Sequence, residues 1–174
     1  MKVHLLEQTQ TTTAGLEAVF AFFSQPENLA RITPPSMGFQ VLTPSPIAMH
    51  QGAIIDYVVK VGLPLRWRSL ITSYEPPHRF VDEQLDGPYA FWHHTHTFRP
   101  LPGGGTELGD VVRYALPLGP LGELAHVLAI RRQLRQIFAY RRDFLAGHFG
   151  GPVRDPVPTT DHPAGGGHGH QPPE

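Results

Sequence analysis

From Leu63 to Tyr114 the chain is one uninterrupted series of strand-like segments joined by short turns, and an amphipathic stretch follows over Leu121–Phe149. That order restricts the fold more than any other feature. Consecutive strands with short connections make an antiparallel meander. A single long helix after it must lay its apolar stripe against one face of the sheet.

Alternation sets the faces of each strand. Ala53 to Val61 puts Ile55, Tyr57 and Val59 on one side, and Leu65 to Tyr74 puts Trp67, Ser69, Ile71 and Ser73 on the corresponding side. Arg66 and Arg68 then mark the other side as wet. Arg79 to Leu85 is short, Gly87–Tyr89 turns the chain, and Gly103 to Gly105 form the clearest hairpin loop. Across that loop the expected register opposes Phe98 to Leu108, His96 to Asp110, His94 to Val112 and Trp92 to Tyr114. The other face pairs His93 with Arg113 and Thr95 with Val111. A one-residue slip would carry Arg113 and Glu107 to the aromatic side, so this parity is preferred.

Ahead of the meander, Val3 to Glu7 reads as a first strand, with a helix cap at Thr12 or Thr13. Leu16, Val19, Phe20 and Phe23 recur at helical spacing. Pro26 opens a second short helix that points Leu29 and Ile32 inward and ends at Pro34 and Pro35. Phe39 to Leu42 is the next strand. In the C-terminal helix Leu124, Val127, Leu128, Ile130, Leu134, Ile137, Phe138, Leu145 and Phe149 form the apolar stripe. Arg131, Arg132, Arg135, Arg141 and Arg142 occupy the remainder, read as its solvated face.

The fold class is therefore α+β, in the element order β-α-α-β-β-β-β-β-β-α, with the curved antiparallel sheet wrapped around the long C-terminal helix. One domain covers residues 1–149. From Gly150 to Glu174 the composition turns to Pro, Gly, Asp and His without periodicity, so residues 150–174 are expected to be disordered. His162, His168 and His170 in that stretch offer only incidental chelation.

Fourteen Lys+Arg stand against 15 Asp+Glu, a formal charge of -1 that supplies no general attraction for nucleic acid or anionic lipid. There is no cysteine, which removes thiolate chemistry and fits a reducing compartment. No segment approaches a membrane span, and the N-terminus lacks a signal-peptide pattern. A cytoplasmic location is expected.

The strand Pro88–Phe98 crowds His93, His94 and His96 among aromatics. His94 and His96 share the inward face with Trp92 and Phe98, which implies a cavity or a buried polar network. Three readings follow. A carboxylate, Asp110, can satisfy buried histidines and nothing more. His94, His96 and Asp110 can move protons in an enzyme. The same three can also be read as a metal set, but no outer support for such a site is identifiable, so no metal or cofactor is expected. Asp82 and Glu83 fall on opposite faces and do not form a catalytic carboxylate pair. An acidic residue among Asp82, Glu83 and Asp86 is expected to pair with Arg66 or Arg68.

The segments LARITPP (Leu29–Pro35), GLPLRWRSLI (Gly62–Ile71), FVDEQLDGPYAFWHHTHTF (Phe80–Phe98), GDVVRYALP (Gly109–Pro117) and IFAYRRDFL (Ile137–Leu145) carry a resemblance. The sequence resembles the helix-grip superfamily of START domains, birch-pollen-allergen-like (Bet v 1-like) proteins and polyketide cyclases (SRPBCC), and within it a bacterial ligand-binding subgroup. The resemblance implies a hollow between sheet and helix for a mainly apolar ligand. At matching positions it implies a lining of Trp67, Ile71, Trp92, His94, His96, Val112, Tyr114, Leu134 and Phe138.

The expected function is non-catalytic binding, carriage or sensing of a small hydrophobic molecule that is aromatic, lipid-like or polyketide-like. The alternative is a cyclase or dehydratase using His94, His96 and Asp110. The lack of a nucleotide-binding glycine pattern and of a nucleophile elbow ranks the enzyme second. An interaction protein docking through Arg131 and Arg135 ranks last. The expected partner is a small hydrophobic ligand, with no nucleic acid and no stable membrane insertion, while a homodimer stays open.

Overall fold

The computed structural model describes residues 1–61, 63–125 and 129–151. Seven strands form one antiparallel sheet in the order β1-β7-β6-β5-β4-β3-β2. They are β1 (His4–Thr12), β2 (Gln40–Val41), β3 (Ile54–Val61), β4 (Leu63–Glu75), β5 (Arg79–Asp86), β6 (Phe91–Pro100) and β7 (Thr106–Ala115). Helix α1 (Leu16–Phe23) and two short 3-10 helices, Pro26–Ala30 and Pro35–Met37, separate β1 from β2. The second helix of the expected order is thus a 3-10 turn, consistent with prolines at its start.

The β6–β7 hairpin has the expected register in full: Phe98↔Leu108, His96↔Asp110, His94↔Val112 and Trp92↔Tyr114, with His93↔Arg113 and Thr95↔Val111 on the other face. The inward parity of the neighbouring strands also holds, with Ile55, Val59, Trp67, Ser69 and Ile71 buried. Between β4 and β5 the register shifts at Arg68/Ser69 and Ile71/Ser73, and such bulges add twist and help the sheet curl.

The expected helix over Leu121–Phe149 is described as α2 (Pro120–Ala125) and α3 (Arg131–Phe149). Val127 and Leu128 lie outside the described residues. Leu124 is 56% exposed, so α2 does not extend the buried stripe. That stripe belongs to α3, whose buried side chains are Leu134, Phe138, Arg141 and Leu145.

Thr12 and Thr13 do not cap α1, which starts after Gly15 with no side-chain cap. They close the far end of the molecule. Thr12 Oγ1 donates to the Gly150 and Phe149 carbonyls at 2.7 and 3.2 Å, and Thr13 Oγ1 donates to Phe149 at 2.9 Å. The last carbonyls of a helix have no partner within it, so β1 satisfies those of α3 and anchors the helix across the sheet. Gly150 is therefore tied to the domain; of the expected disordered tail, residues 152–174 lie outside the described set.

Two buried clusters flank the middle of the fold. One gathers Phe20, Phe22, Ile32, Phe80, Phe98 and Leu145, with Phe20 edge-on to Phe98 at 5.3 Å. The other gathers Trp67, Trp92, Val112, Tyr114, Leu134 and Phe138. The histidine strand passes between them. No helix among the described residues is long and apolar enough to cross a membrane.

Candidate functional site

A cavity of about 150 Å³ opens between the sheet, α3 and the 3-10 helices. Its apolar wall includes Leu29, Met37, Ile55, Val59, Trp67 and Phe138. Of the expected lining, Trp67, Ile71, Trp92, His94, His96, Leu134 and Phe138 lie on it. Val112 and Tyr114 instead belong to the packed core. Tyr114 packs against the rings of His4 at 5.4 Å and Tyr89 at 5.8 Å, and neither it nor Val112 is on the cavity wall. Sheet polar groups in the wall are satisfied locally: Trp67 Nε1 donates to Ser69 Oγ at 3.1 Å, and the Tyr57 hydroxyl lies 3.0 Å from the same oxygen.

Asp82, His94, His96 and Arg141 supply the charged part of the wall, with Asp110 directly behind. The two imidazoles lie 3.8 Å apart, centroid to centroid. Asp110 Oδ1 is 2.8 Å from His94 Nε2, 3.2 Å from His96 Nδ1 and 3.2 Å from Arg141 Nη1. Asp82 Oδ1 is 2.9 Å from His96 Nε2 and 3.6 Å from His94 Nδ1. The rings are thus clamped between two carboxylates.

Three sequence expectations change here. Although His96 opposes Asp110 along the backbone, the shorter bond to Asp110 comes from His94, because the two rings lean along the strand. Of the three carboxylates expected near Arg66 and Arg68, Asp86 stands opposite Arg68 and acts on its charge, while Asp82 pairs with neither arginine. Arg68 instead grips Asp56 with bonds of 2.7 and 3.0 Å, which leaves Asp82 to turn inward opposite His94. Arg141 is not on the solvated face: it is 6% exposed and stacks over Phe138 at 4.9 Å. Its place in the spacing Leu134, Phe138, Arg141, Leu145 was a signal that it faces inward, and the shared parity of Phe80 and Asp82 was a signal for the carboxylate.

The electrostatics follow from this clamp. Burial opposes ionisation of Asp110, but the Arg141 charge and the bonds from His94 and His96 outweigh it and hold the carboxyl well below its ordinary value. Burial likewise opposes ionisation of Asp82, yet the His96 bond and the neighbouring positive charges lower it. For His94, burial and the charge on His96 push the imidazole down to about 4. Burial also works against protonation of His96, but its contacts with Asp110 and Asp82 win and raise it. Burial thus leaves His94 neutral at neutral pH, while the two carboxylates beside His96 favour its charged form.

No family model and no curated protein matches the sequence. Solved structures do match. A START superfamily protein from Mycobacterium smegmatis aligns with a TM-score of 0.63 at 12% identity, over 84% of this chain and 97% of that one. The fold is that of the START superfamily. Major latex-like protein 151 from Panax ginseng gives a TM-score of 0.63 at 8% identity, over 86% and 99% of the two chains. An aromatase/cyclase from a Streptomyces species gives 0.60 at 16%, over 83% and 94%. The helix-grip architecture is common to all of them, and at these identities the likeness concerns fold alone.

Proposed function

We propose that this START-type domain binds one small apolar molecule, of the size of one or two aromatic rings and bearing a single polar group, as a carrier or sensor. The observation behind this reading is the cavity itself: a mostly apolar chamber with its charged groups concentrated in one cluster. Such a composition orients an apolar body by one polar contact. Its size narrows the ligand class. A dry cavity of about 150 Å³ accommodates a benzene-sized molecule, so a long lipid or an extended polyketide chain would need the walls to move apart.

A cyclase or dehydratase remains the second reading, because a neutral imidazole stands in the wall at His94 and one similar structure is an aromatase/cyclase. Against it, the ring nitrogens of His94 and His96 already face carboxylates of the protein. A base must reach a substrate proton, and here protein groups occupy those positions.

Native mass spectrometry of freshly purified protein, together with thermal unfolding in the presence of 2-naphthol or p-cresol, tests the binding reading. A ligand at 100 times its Kd stabilises by about 2.7 kcal/mol, which for a domain of this length raises Tm by roughly 5–10 °C. No bound mass and no shift with any such compound would overturn the proposal. Turnover of an offered substrate that disappears in His94→Gln while binding persists would favour the enzyme.

A further inference from the structure

The stacked imidazoles present two edges. One, made of His94 Nε2 and His96 Nδ1, faces Asp110 at 2.8 and 3.2 Å. Arg141 Nη1 stands 3.2 Å from the same Asp110 oxygen, so that edge already has its cation. The opposite edge, His94 Nδ1 and His96 Nε2, faces Asp82 at 3.6 and 2.9 Å. When His94 donates from Nε2 to Asp110, its Nδ1 carries a lone pair toward the Asp82 carboxylate. Acceptor then faces acceptor across 3.6 Å, a gap that a cation satisfies.

We propose that Asp82 Oδ1, His94 Nδ1 and His96 Nε2 form a site for a divalent transition-metal ion, which displaces the Nε2 proton of His96 to solvent as it binds. The three side chains bring ligand atoms within 4.8 Å of one another. A metal bound about 2.1 Å from each ligand atom spaces them by about 3.0 Å in octahedral geometry and about 3.4 Å in tetrahedral geometry. The two separations from Asp82, 2.9 and 3.6 Å, bracket that range, and the third, between the two imidazoles, is bounded by the same 4.8 Å, so the rings would draw together on the ion. Two imidazoles and one carboxylate suit Zn²⁺, Fe²⁺, Co²⁺ or Ni²⁺ better than Mg²⁺ or Ca²⁺.

The outer shell fits as well. A metal-bound histidine characteristically gives its other N–H to a carboxylate, which fixes the ring and its tautomer. Asp110 makes that bond with His94 Nε2 and lies 3.2 Å from His96 Nδ1, and Arg141 holds Asp110 in place. Arg141 also decides which carboxylate is the ligand, since its charge would repel a metal at the Asp110 edge. Asp82, His94 and His96 all line the cavity, so the remaining coordination positions face the chamber and take water or an oxygen of a pocket molecule. The metal site stands on this geometry whether or not an apolar ligand binds.

The test uses the full chain with His162, His168 and His170 changed to Asn, which removes chelation by the C-terminal histidines. Zn²⁺ is added, and the imidazole ¹⁵N resonances are followed by long-range proton–nitrogen correlation. The expected result is one bound equivalent, with His94 bound through Nδ1 and His96 through Nε2. Co²⁺ titration should show visible absorption bands that saturate at one equivalent. Asp82→Asn should weaken Co²⁺ at least tenfold, and Asp110→Asn by about 10- to 100-fold. Unchanged His94 and His96 nitrogens at saturating Zn²⁺ would overturn the proposal in the otherwise native protein, independently of how any core variant folds. So would Co²⁺ binding that Asp82→Asn leaves intact or that vanishes with the C-terminal histidines.

Discussion

Replacing Arg141 by Met keeps an unbranched stem over Phe138 but leaves Asp110 as a buried carboxylate without its guanidinium. The two groups are 3.2 Å apart, with side chains 7% and 11% exposed, so solvent screens them little. At an effective dielectric of about 20 their attraction is about 5 kcal/mol, and breaking a buried pair costs about 3–5 kcal/mol in practice. For a chain of this length that is a fall in Tm of roughly 6–20 °C. Urea unfolding followed by the fluorescence of Trp67 and Trp92, the two tryptophans of the chain, measures it. Arg132→Met, on the exposed side of the same helix, should change stability by no more than about 0.5 kcal/mol. Asp110→Asn combined with Arg141→Met should recover a large part of the loss, because the double variant no longer buries an unpaired charge. A loss below about 1 kcal/mol for Arg141→Met, with no recovery in the double variant, would refute the clamp as described.

Two further predictions concern the same fold. In chelator-treated protein, folded His94 titrates at about 4 against an ordinary 6.5, surrounded by Asp82, Asp110, His96 and Arg141. The unfolded chain therefore takes up this proton first, so stability present above about pH 6.5 falls as the pH drops toward 4, by up to about 1.4 kcal/mol per unit. His96, raised in the fold, adds a slope of opposite sign only near the top of that window, where the unfolded imidazole is still partly neutral; below about pH 5.5 the fall belongs to His94, and denaturant melts at several pH values should be flatter in His94→Asn. In the β6–β7 loop, Gly103 and Gly105 both have positive φ, at 85° and 86°. A methyl at Gly105 meets the Thr12 carbonyl, whereas one at Gly103 meets nothing within 4 Å. Gly103→Ala should cost about 1–2 kcal/mol from backbone strain, and Gly105→Ala clearly more by thermal unfolding.

Much of the sheet was legible because strand parity is a strict period of 2 and a single apolar face leaves one consistent register. Phe98, His96, His94 and Trp92 landed opposite their expected partners for that reason. The cluster was legible only in part. Parity places His94 and His96 inward, but which ring reaches Asp110 depends on side-chain lean, to which a register is blind. Asp82 was hidden because its neighbour Glu83 and the nearby Arg66 and Arg68 offered an apparently adequate surface pairing, and the β4–β5 bulges disturb simple alternation. Residue type groups Arg141 with four other arginines, although its spacing from Leu134, Phe138 and Leu145 assigns it to the buried stripe. By residue type Thr12 and Thr13 suit a local cap, while their bonds run to Phe149 and Gly150 at the end of α3. The cavity volume depends on how side chains from the sheet, α3 and the 3-10 helices meet, and no periodicity encodes it.

The ligand reading is tested most directly by titrating the protein with 2-naphthol while following tryptophan emission, excited at 300 nm with a correction for absorption by the probe. Both Trp67 and Trp92 stand in the cavity wall, so every emitting tryptophan reports on the chamber. The expected result is a saturable change with one molecule bound per chain, weakened at least tenfold by Leu29→Trp, which adds bulk to the cavity wall. Linear quenching without saturation, or saturable binding that Leu29→Trp leaves unchanged, would contradict it.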